Sequence, residues 1–249
     1  MIPIGPVEKR LNERVKKGPV CAALIDPEDF TPSQAAKVAT EAVRAGAGLI
    51  LIGGSTVANQ SRLDSVVRSA KKAVTSDVVL FPGNITGVSR FADAILFSSL
   101  LNSTNPYFII GAQTLGATEV YKAGLETISM GYLVFGTSST TSVIGQTNGL
   151  SPERPEIAVI YALAAQFLGM RSLYLEAGSG AGLPLPPQTI KAVRKVYQGL
   201  LFVGGGITSG EAAANAAKAG ADVVVVGNLL QTEGYQETLE EISKAIRRS

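Results

Sequence analysis

At 249 residues, with 46% hydrophobic and 17% charged residues and a net charge of +2, the chain has the length of one α/β barrel or two small domains and lacks the basic surplus of a nucleic-acid-binding protein. Its apolar runs are far shorter than the ~20 residues of a membrane-spanning helix, and its single cysteine, Cys21, excludes an intrachain disulfide and suits a reducing compartment. Histidine is absent, so acid–base chemistry falls to Asp, Glu, Lys or Tyr, and any metal must be a hard ion on oxygen ligands.

The opening segment, MIPIGPVEKRLNERVKK, has no apolar core of the kind a signal peptide carries, which predicts a cytoplasmic protein. Eight short β-rich runs follow: CAALID (21–26), GLILIGG (48–54), DVVLFPG (77–83), DAILFSS (93–99), GYLVFG (131–136), SLYLEAG (172–178), LLFVGGG (200–206) and DVVVVGN (222–228). They are continuously apolar rather than alternating, as parallel strands covered on both faces are. Between most of them lie helix-like stretches that open on Pro, Ser or Thr and stop at Gly: AAKVATEAVRAG to Gly46, ERPEIAVIYALAAQFLG to Gly169 and SGEAAANAAKAG to Gly220. The pattern predicts one domain, residues 1–249, folded as a single (β/α)8 TIM barrel; the competing architecture is a doubly wound open sheet.

Two irregularities modify that barrel. Only about ten residues, NITGVSRFAD, join the third and fourth strands, too few for a full crossover helix, so the third helix is missing or reduced. The stretch from Leu100 to Gln146 is long for one unit: LNSTNPYFIIGAQTLGATEVY reads as a helix, and TSSTTSVIGQTNG as a mobile polar flap.

Barrel chemistry gathers at the C-terminal ends of the strands. Those ends carry Asp26, then Ser55, Glu176 and the glycines of GGGITS (204–209) and Gly227-Asn228. Gly205, Gly206, Gly227 and Asn228, with Ser179 and Gly180 alongside, form an expected phosphate cradle of backbone N–H groups; the alternative is tight turns that need Gly for geometry. Asp26 and Ser55 end neighbouring strands and make a sparse Mg2+ site; either can instead cap a helix. Glu176, in YLEAGSGAG (174–182), is placed to accept a proton from a neutral hydroxyl, unless it is a buried acid paired with a cation.

FPGNITGVSRFADAILFSSLLNSTNPYFIIGAQTLGA, YLEAGSGAG, FVGGGITSG and LIDPED together resemble the geranylgeranylglyceryl phosphate synthase family, larger archaeal subgroup, from about Leu24 to Asn228. The resemblance implies a TIM barrel without its third helix. It implies a Mg2+-dependent prenyltransferase of archaeal lipid synthesis that joins sn-glycerol 1-phosphate to geranylgeranyl diphosphate as an ether and releases diphosphate. By the family pattern Asp26 and Ser55 bind Mg2+, glycerol 1-phosphate lies on Tyr174, Leu175, Glu176, Ala177, Gly178, Ser179, Gly180, Gly205, Gly206, Gly227 and Asn228, and Glu176 orients or deprotonates the glycerol hydroxyl. Tyr107, Phe108, Ile109 and Tyr132 are the expected lining of a prenyl groove. A homo-oligomer, dimer or hexamer, is also implied, with transient contact at a membrane surface; the helix of Glu153 to Met170 offers apolar surface for assembly. The rival readings are a phosphosugar isomerase or aldolase, the latter needing a strand-end lysine that the sequence lacks, and a non-catalytic prenyl-phosphate-binding protein.

Overall fold

The computed structural model describes residues 4–56, 59–178 and 182–249. Its parallel strands follow in chain order around a closed barrel: β1 (Val20–Ile25), β2 (Leu49–Ile52), β3 (Val78–Leu80), β4 (Ala94–Leu100), β5 (Glu126–Val134), β6 (Ser172–Glu176), β7 (Leu200–Gly204) and β8 (Val223–Val226). β8 pairs back onto β1, so the sheet has no open edge. The doubly wound alternative is thereby excluded.

The strands read as unbroken apolar runs because both faces are buried in two separate cores. Residues such as Ala22, Leu51, Val79, Leu96, Tyr174, Phe202 and Val225 point inward and fill the barrel. Their neighbours, including Ala23, Ile52, Leu80, Ile95, Leu175, Val203 and Val226, point outward against the helices. The period of two along each strand decides which residue reaches the mouth. On β6 it puts Tyr174 and Glu176 on the same, inward face.

Helix α1 (Pro6–Val15) precedes the barrel, and its Val7 and Leu11 join the interior core from below. Glu126, at the start of β5, accepts from the N–H groups of Val7 and Glu8 at 2.7 and 2.8 Å, placing a carboxylate at the positive end of the helix. Glu8, 1% exposed, pairs with Arg171 at 2.8 Å. The sequence reading assigned no helix here, and it began the fifth strand at Gly131. The strand starts at Glu126 because its early polar residues serve the barrel floor; Ser129 likewise accepts from the Arg171 N–H.

The outer layer continues with α2 (Pro32–Arg44), α3 (Gln60–Ala73), α4 (Ala112–Ala123), α5 (Thr140–Gly145), α6 (Pro155–Phe167), α7 (Pro187–Arg194), α8 (Gly210–Lys218) and α9 (Tyr235–Arg247). Thr31 caps α2 in a capping box with Gln34, and Asn59 caps α3. Neither Asp26 nor Ser55 is spent as a cap of these helices. Between β3 and β4 the chain makes only a 3-10 turn, Ile85–Gly87, as the short connection predicted. Among the described residues no helix is long and apolar enough to cross a membrane.

The segment read as a mobile flap is folded. Ser139 caps α5 by accepting from the Ser142 N–H at 3.1 Å. Asn102 bonds both N–H and C=O of Val134 and, at 2.8 Å, the carbonyl of Asn148; Ser103 donates to the Gly145 carbonyl at 2.6 Å. The polar residues of LNSTN thus serve as ties for the polar stretch downstream, which composition alone presents as a loop.

Candidate active site

At the C-terminal ends of the strands lies a cavity of about 470 Å3, bordered by residues from nearly every strand end, among them Asp26, Ser55, Asn84, Glu176, Gly205 and Asn228. Among the described residues neither lysine nor arginine lines it. An anion bound here is therefore held by backbone N–H groups and neutral side chains, or by a cation brought from outside.

Glu176 is the buried charge of this cavity, 7% exposed. Among the described residues no cation pairs with it. Its Oε1 accepts from the Gly178 N–H at 2.7 Å, and the Tyr132 hydroxyl stands 3.5 Å from Oε2, at the outer limit of a hydrogen bond. The Tyr174 phenol lies on the same inward face and also favours the ionised carboxylate. Burial pushes the Glu176 carboxyl above its usual range, and these three groups oppose the shift. Burial, reinforced by the nearby carboxylate, drives both phenols well above the usual tyrosine value, so they remain donors. The rings form a continuous aromatic floor, with Tyr132 and Tyr174 5.0 Å apart at 79° and Phe81 5.0 Å from Tyr174. The result is a buried, hydrogen-bonded carboxylate that lines the cavity.

The glycines of β7 have two uses. A side chain at Gly204 would overlap the Tyr174 hydroxyl, and one at Gly205 would overlap Oε1 of Glu176. Gly205 and Gly206 also take φ of +82° and +69°, the left-handed region that glycine enters without strain. Part of what reads as a cradle is therefore room for the acid and its phenol. Gly227 is open to within 3.7 Å, and a short 3-10 helix, Asn228–Gln231, begins directly after it. A short helix after the last strand is a recurrent anion site of such barrels. Of the remaining residues named from the sequence, Leu175 is buried in the outer core and Ala177 packs against it, leaving only their backbone for a ligand. Ser179 and Gly180 lie outside the described residues.

Asp26 and Ser55 both line the cavity across the β1–β2 pair. Oδ1 of Asp26 accepts from the Glu28 N–H at 2.9 Å, and Oδ2 rests against Gly54, where a side chain would overlap it. Burial raises the Asp26 carboxyl. One carboxylate and one hydroxyl are hard donors that suit Mg2+, which keeps waters and draws on substrate phosphates. Among the described residues no cluster of three or more acids or cysteines exists to hold an ion on protein ligands alone. The residues present thus fit a cation completed by a phosphorylated substrate.

Away from the mouth the cavity continues into an apolar lobe where the third helix is lacking, lined by Ile85, Val88, Phe97, Phe108, Gly116 and Val120. Phe108 and Tyr132 border the cavity, although Tyr132 sits in the barrel beside Glu176. Tyr107 and Ile109 are not among the lining residues; the Tyr107 hydroxyl donates to Asn84, and the Ile109 carbonyl accepts from Ser99 at 2.7 Å. Sequence reasoning passed over the apolar residues of α4 and the 3-10 turn, and the pairing of Tyr132 with Glu176. The available signal was a tyrosine inside an otherwise apolar strand, whose hydroxyl must find a partner when buried.

Fold and site together define a (β/α)8-barrel enzyme whose mouth joins a buried carboxylate, glycine-rich turns and hard oxygen donors to an apolar lobe. The chain belongs to the PcrB family, whose profile matches residues 14–246. It is 49% identical to the geranylgeranylglyceryl phosphate synthase of Nitrosopumilus maritimus over 238 residues, 96% of this chain and 95% of that one. Among solved structures it is similar to the wild-type enzyme of that type from Thermoplasma volcanium, with a TM-score of 0.94, 37% identity and 98% of each chain covered. It is similar also to the Thermoplasma acidophilum (S)-3-O-geranylgeranylglyceryl phosphate synthase in complex with its substrate sn-glycerol-1-phosphate, with a TM-score of 0.95, 33% identity, and 99% of this chain and 100% of that one covered.

Proposed function

We propose that this protein is a prenyltransferase that forms an ether between the hydroxyl of sn-glycerol 1-phosphate and geranylgeranyl diphosphate, releasing diphosphate. The observation that carries this reading is the position of Glu176, held between the glycine-rich turns of β6 to β8 and the Asp26–Ser55 pair, with an apolar lobe opening beside it. An ether-forming transfer needs one anion fixed, a neutral hydroxyl next to a base, a second anion that leaves, and a long apolar tail kept from water.

In this reading the glycerol phosphate group rests on the backbone at Gly205, Gly206, Gly227 and Asn228, with Tyr174 to Gly180 alongside. That anchorage presents the glycerol hydroxyl to Glu176 and to the allylic carbon, and proximity supplies much of the rate. The C–O bond from the allylic carbon to diphosphate breaks with its electron pair on the departing oxygen. The hydroxyl oxygen forms the new C–O bond, and its proton goes to Glu176. Tyr132 and Tyr174 hold that carboxylate in orientation and cannot themselves deprotonate at working pH. Asp26 and Ser55 would hold Mg2+, which when bound neutralises charge on diphosphate. Burial of the tail in the apolar lobe is worth ~0.8 kcal/mol per methylene-sized group.

Among the described residues no lysine lines the cavity, which disfavours a Schiff-base aldolase. We further place the protein in the cytoplasm, meeting its lipid substrate at a membrane surface. We also propose a homo-oligomer that buries the outward residues of α6, where Ile160, Phe167 and Leu168 are 64, 80 and 72% exposed. The experiment that tests the function incubates the purified protein with sn-glycerol 1-phosphate, Mg2+ and C15, C20, C25 or C35 diphosphates. Mass-spectrometric detection of the ether, greatest with C20, is expected. Binding of the substrates without an ether product at any chain length would leave a non-catalytic binding protein instead.

A further inference from the structure

Asp26 is held by a residue that does not itself reach the cavity. After β1 the chain turns through Asp26-Pro27-Glu28-Asp29, and the Asp29 N–H closes the turn on the Asp26 carbonyl at 3.1 Å. The Glu28 N–H donates to Oδ1 of Asp26 at 2.9 Å. That N–H belongs to the same peptide unit as the Pro27 carbonyl. On the carbonyl end stands Arg62, from the first turn of α3. Its Nε donates to the Pro27 carbonyl, and one terminal nitrogen donates to the Glu28 carbonyl at 2.8 Å. The guanidinium also lies 4.0 Å from the Glu28 carboxylate. The helix cap fixes Arg62 in turn, since its backbone N–H donates to Oδ1 of Asn59 at 3.0 Å. Arg62 is not among the residues that line the cavity, whereas Asp26 is.

We propose that Arg62 is a positioning residue that sets the affinity for the cation by holding the Pro27–Glu28 peptide, and through it the Asp26 carboxylate, in one orientation. The inference rests on the reading above, in which Asp26 binds Mg2+. A peptide unit is planar, so fixing its oxygen fixes the direction of its N–H. A donor on that oxygen also polarises the unit and strengthens the bond its N–H makes to the carboxylate. The planar guanidinium bonds two successive carbonyls at once, which a lysine ammonium on its flexible stem does not reproduce. Pro27 narrows the turn further, because its ring fixes φ. With Oδ1 held by the Glu28 N–H, Oδ2 rests against Gly54, the residue before Ser55. Groups that orient a metal ligand in this way commonly carry about 10–100-fold in metal affinity. Charge by itself predicts the opposite sign: a guanidinium repels a nearby cation, so its removal would tighten Mg2+ binding.

The test compares Arg62→Met, which keeps the apolar stem and removes the fork, with Arg62→Lys, which keeps the charge on a single donor group. Two quantities are read: the Mg2+ concentration that gives half-maximal ether formation, and the exchange rate of the Glu28 amide in the metal-free protein, by NMR. Arg62→Met should raise the half-maximal Mg2+ concentration about tenfold or more, with kcat at saturating Mg2+ and the metal-free Kd of glycerol 1-phosphate within about twofold of wild type. The Glu28 amide should exchange about tenfold faster, while the amides of β1 and β2 keep their wild-type rates. Arg62→Lys should raise the Mg2+ requirement about threefold, and it carries the same two measurements if Arg62→Met does not fold. Adding Arg62→Met to Asp26→Asn should cost much less than Arg62→Met costs alone, because Arg62 acts through that carboxylate. An unchanged or lowered Mg2+ requirement in Arg62→Met overturns the proposal. So does an unaltered Glu28 exchange rate, an equal loss in the Asp26→Asn background, or faster exchange throughout the barrel, which would make Arg62 a structural tie alone. Absence of ether product from the wild-type protein would instead overturn the functional reading itself.

Discussion

The hydroxyl of Tyr174 occupies the space that a side chain at Gly204 would fill, so the phenol on β6 and the bare backbone of β7 require each other. A Gly204→Ala substitution must push Tyr174 off Glu176 or spread two paired strands. The expected outcome is a kcat lowered about tenfold or more through the displaced phenol, with a fall in stability of about 1–3 kcal/mol from overpacking. Steady-state kinetics and thermal unfolding check both halves. A Gly204→Ala/Tyr174→Phe protein should recover stability without recovering rate.

In the proposed mechanism Glu176 takes the proton, which requires it to be ionised, and burial raises its carboxyl. Activity is therefore present above that raised value and lost as pH falls through it, so the acid limb of kcat lies above the ordinary glutamate value of 4.5. Tyr132 hydrogen-bonds the ionised form and lowers the value, so Tyr132→Phe should move the limb to higher pH. Glu176→Gln should keep glycerol 1-phosphate binding and lose about 10²-fold or more in turnover. Wild-type turnover in Glu176→Gln would remove the residue from the role of base.

Chelation of divalent cations is expected to abolish turnover while leaving glycerol 1-phosphate binding in place, since the proposed cation site and the glycine turns occupy opposite sides of the mouth. Asp26→Asn, which keeps the bond from the Glu28 N–H but loses the charge, should raise the Mg2+ concentration needed for half-maximal rate by about tenfold or more. A metal titration followed by product formation reads this directly. Unaltered Mg2+ dependence in Asp26→Asn would place the cation elsewhere.

Asn102 bonds the Val134 backbone through both ends of its amide and also reaches the Asn148 carbonyl, extending the β4–β5 ladder with a side chain. Asn102→Ala takes its acceptor from the buried Val134 N–H, at about 1–3 kcal/mol, while the Val134 carbonyl keeps the Leu150 N–H at 3.0 Å. Faster amide exchange confined to residues 134–148, and a lower unfolding temperature, are expected. Uniform exchange throughout the barrel would mean that the tie is dispensable.

The loss of the third helix was legible in the connection between β3 and β4, because about ten residues cannot form a crossover helix. The apolar lobe beside that gap, and its lining, were not. A helix residue such as Val120 faces the lobe only because α4 crosses the gap, and Tyr107 turned out to face Asn84. Likewise α5 and α1 escaped notice, the first because its ties are side-chain bonds from a distant segment, the second because its N-terminus is satisfied by Glu126, far along the chain.

The sequence by itself determined the number and order of the strands, since eight apolar runs alternate with punctuated helices, and it set the polar residues at one rim. Only the tertiary structure decided what surrounds Glu176. Which face of a doubly buried strand points inward depends on closure of the barrel, and that closure brings Tyr132, Tyr174, Gly204 and Gly205 from three strands around one carboxylate. Local sequence encodes local conformation; the environment that tunes a buried acid is assembled from residues far apart in the chain.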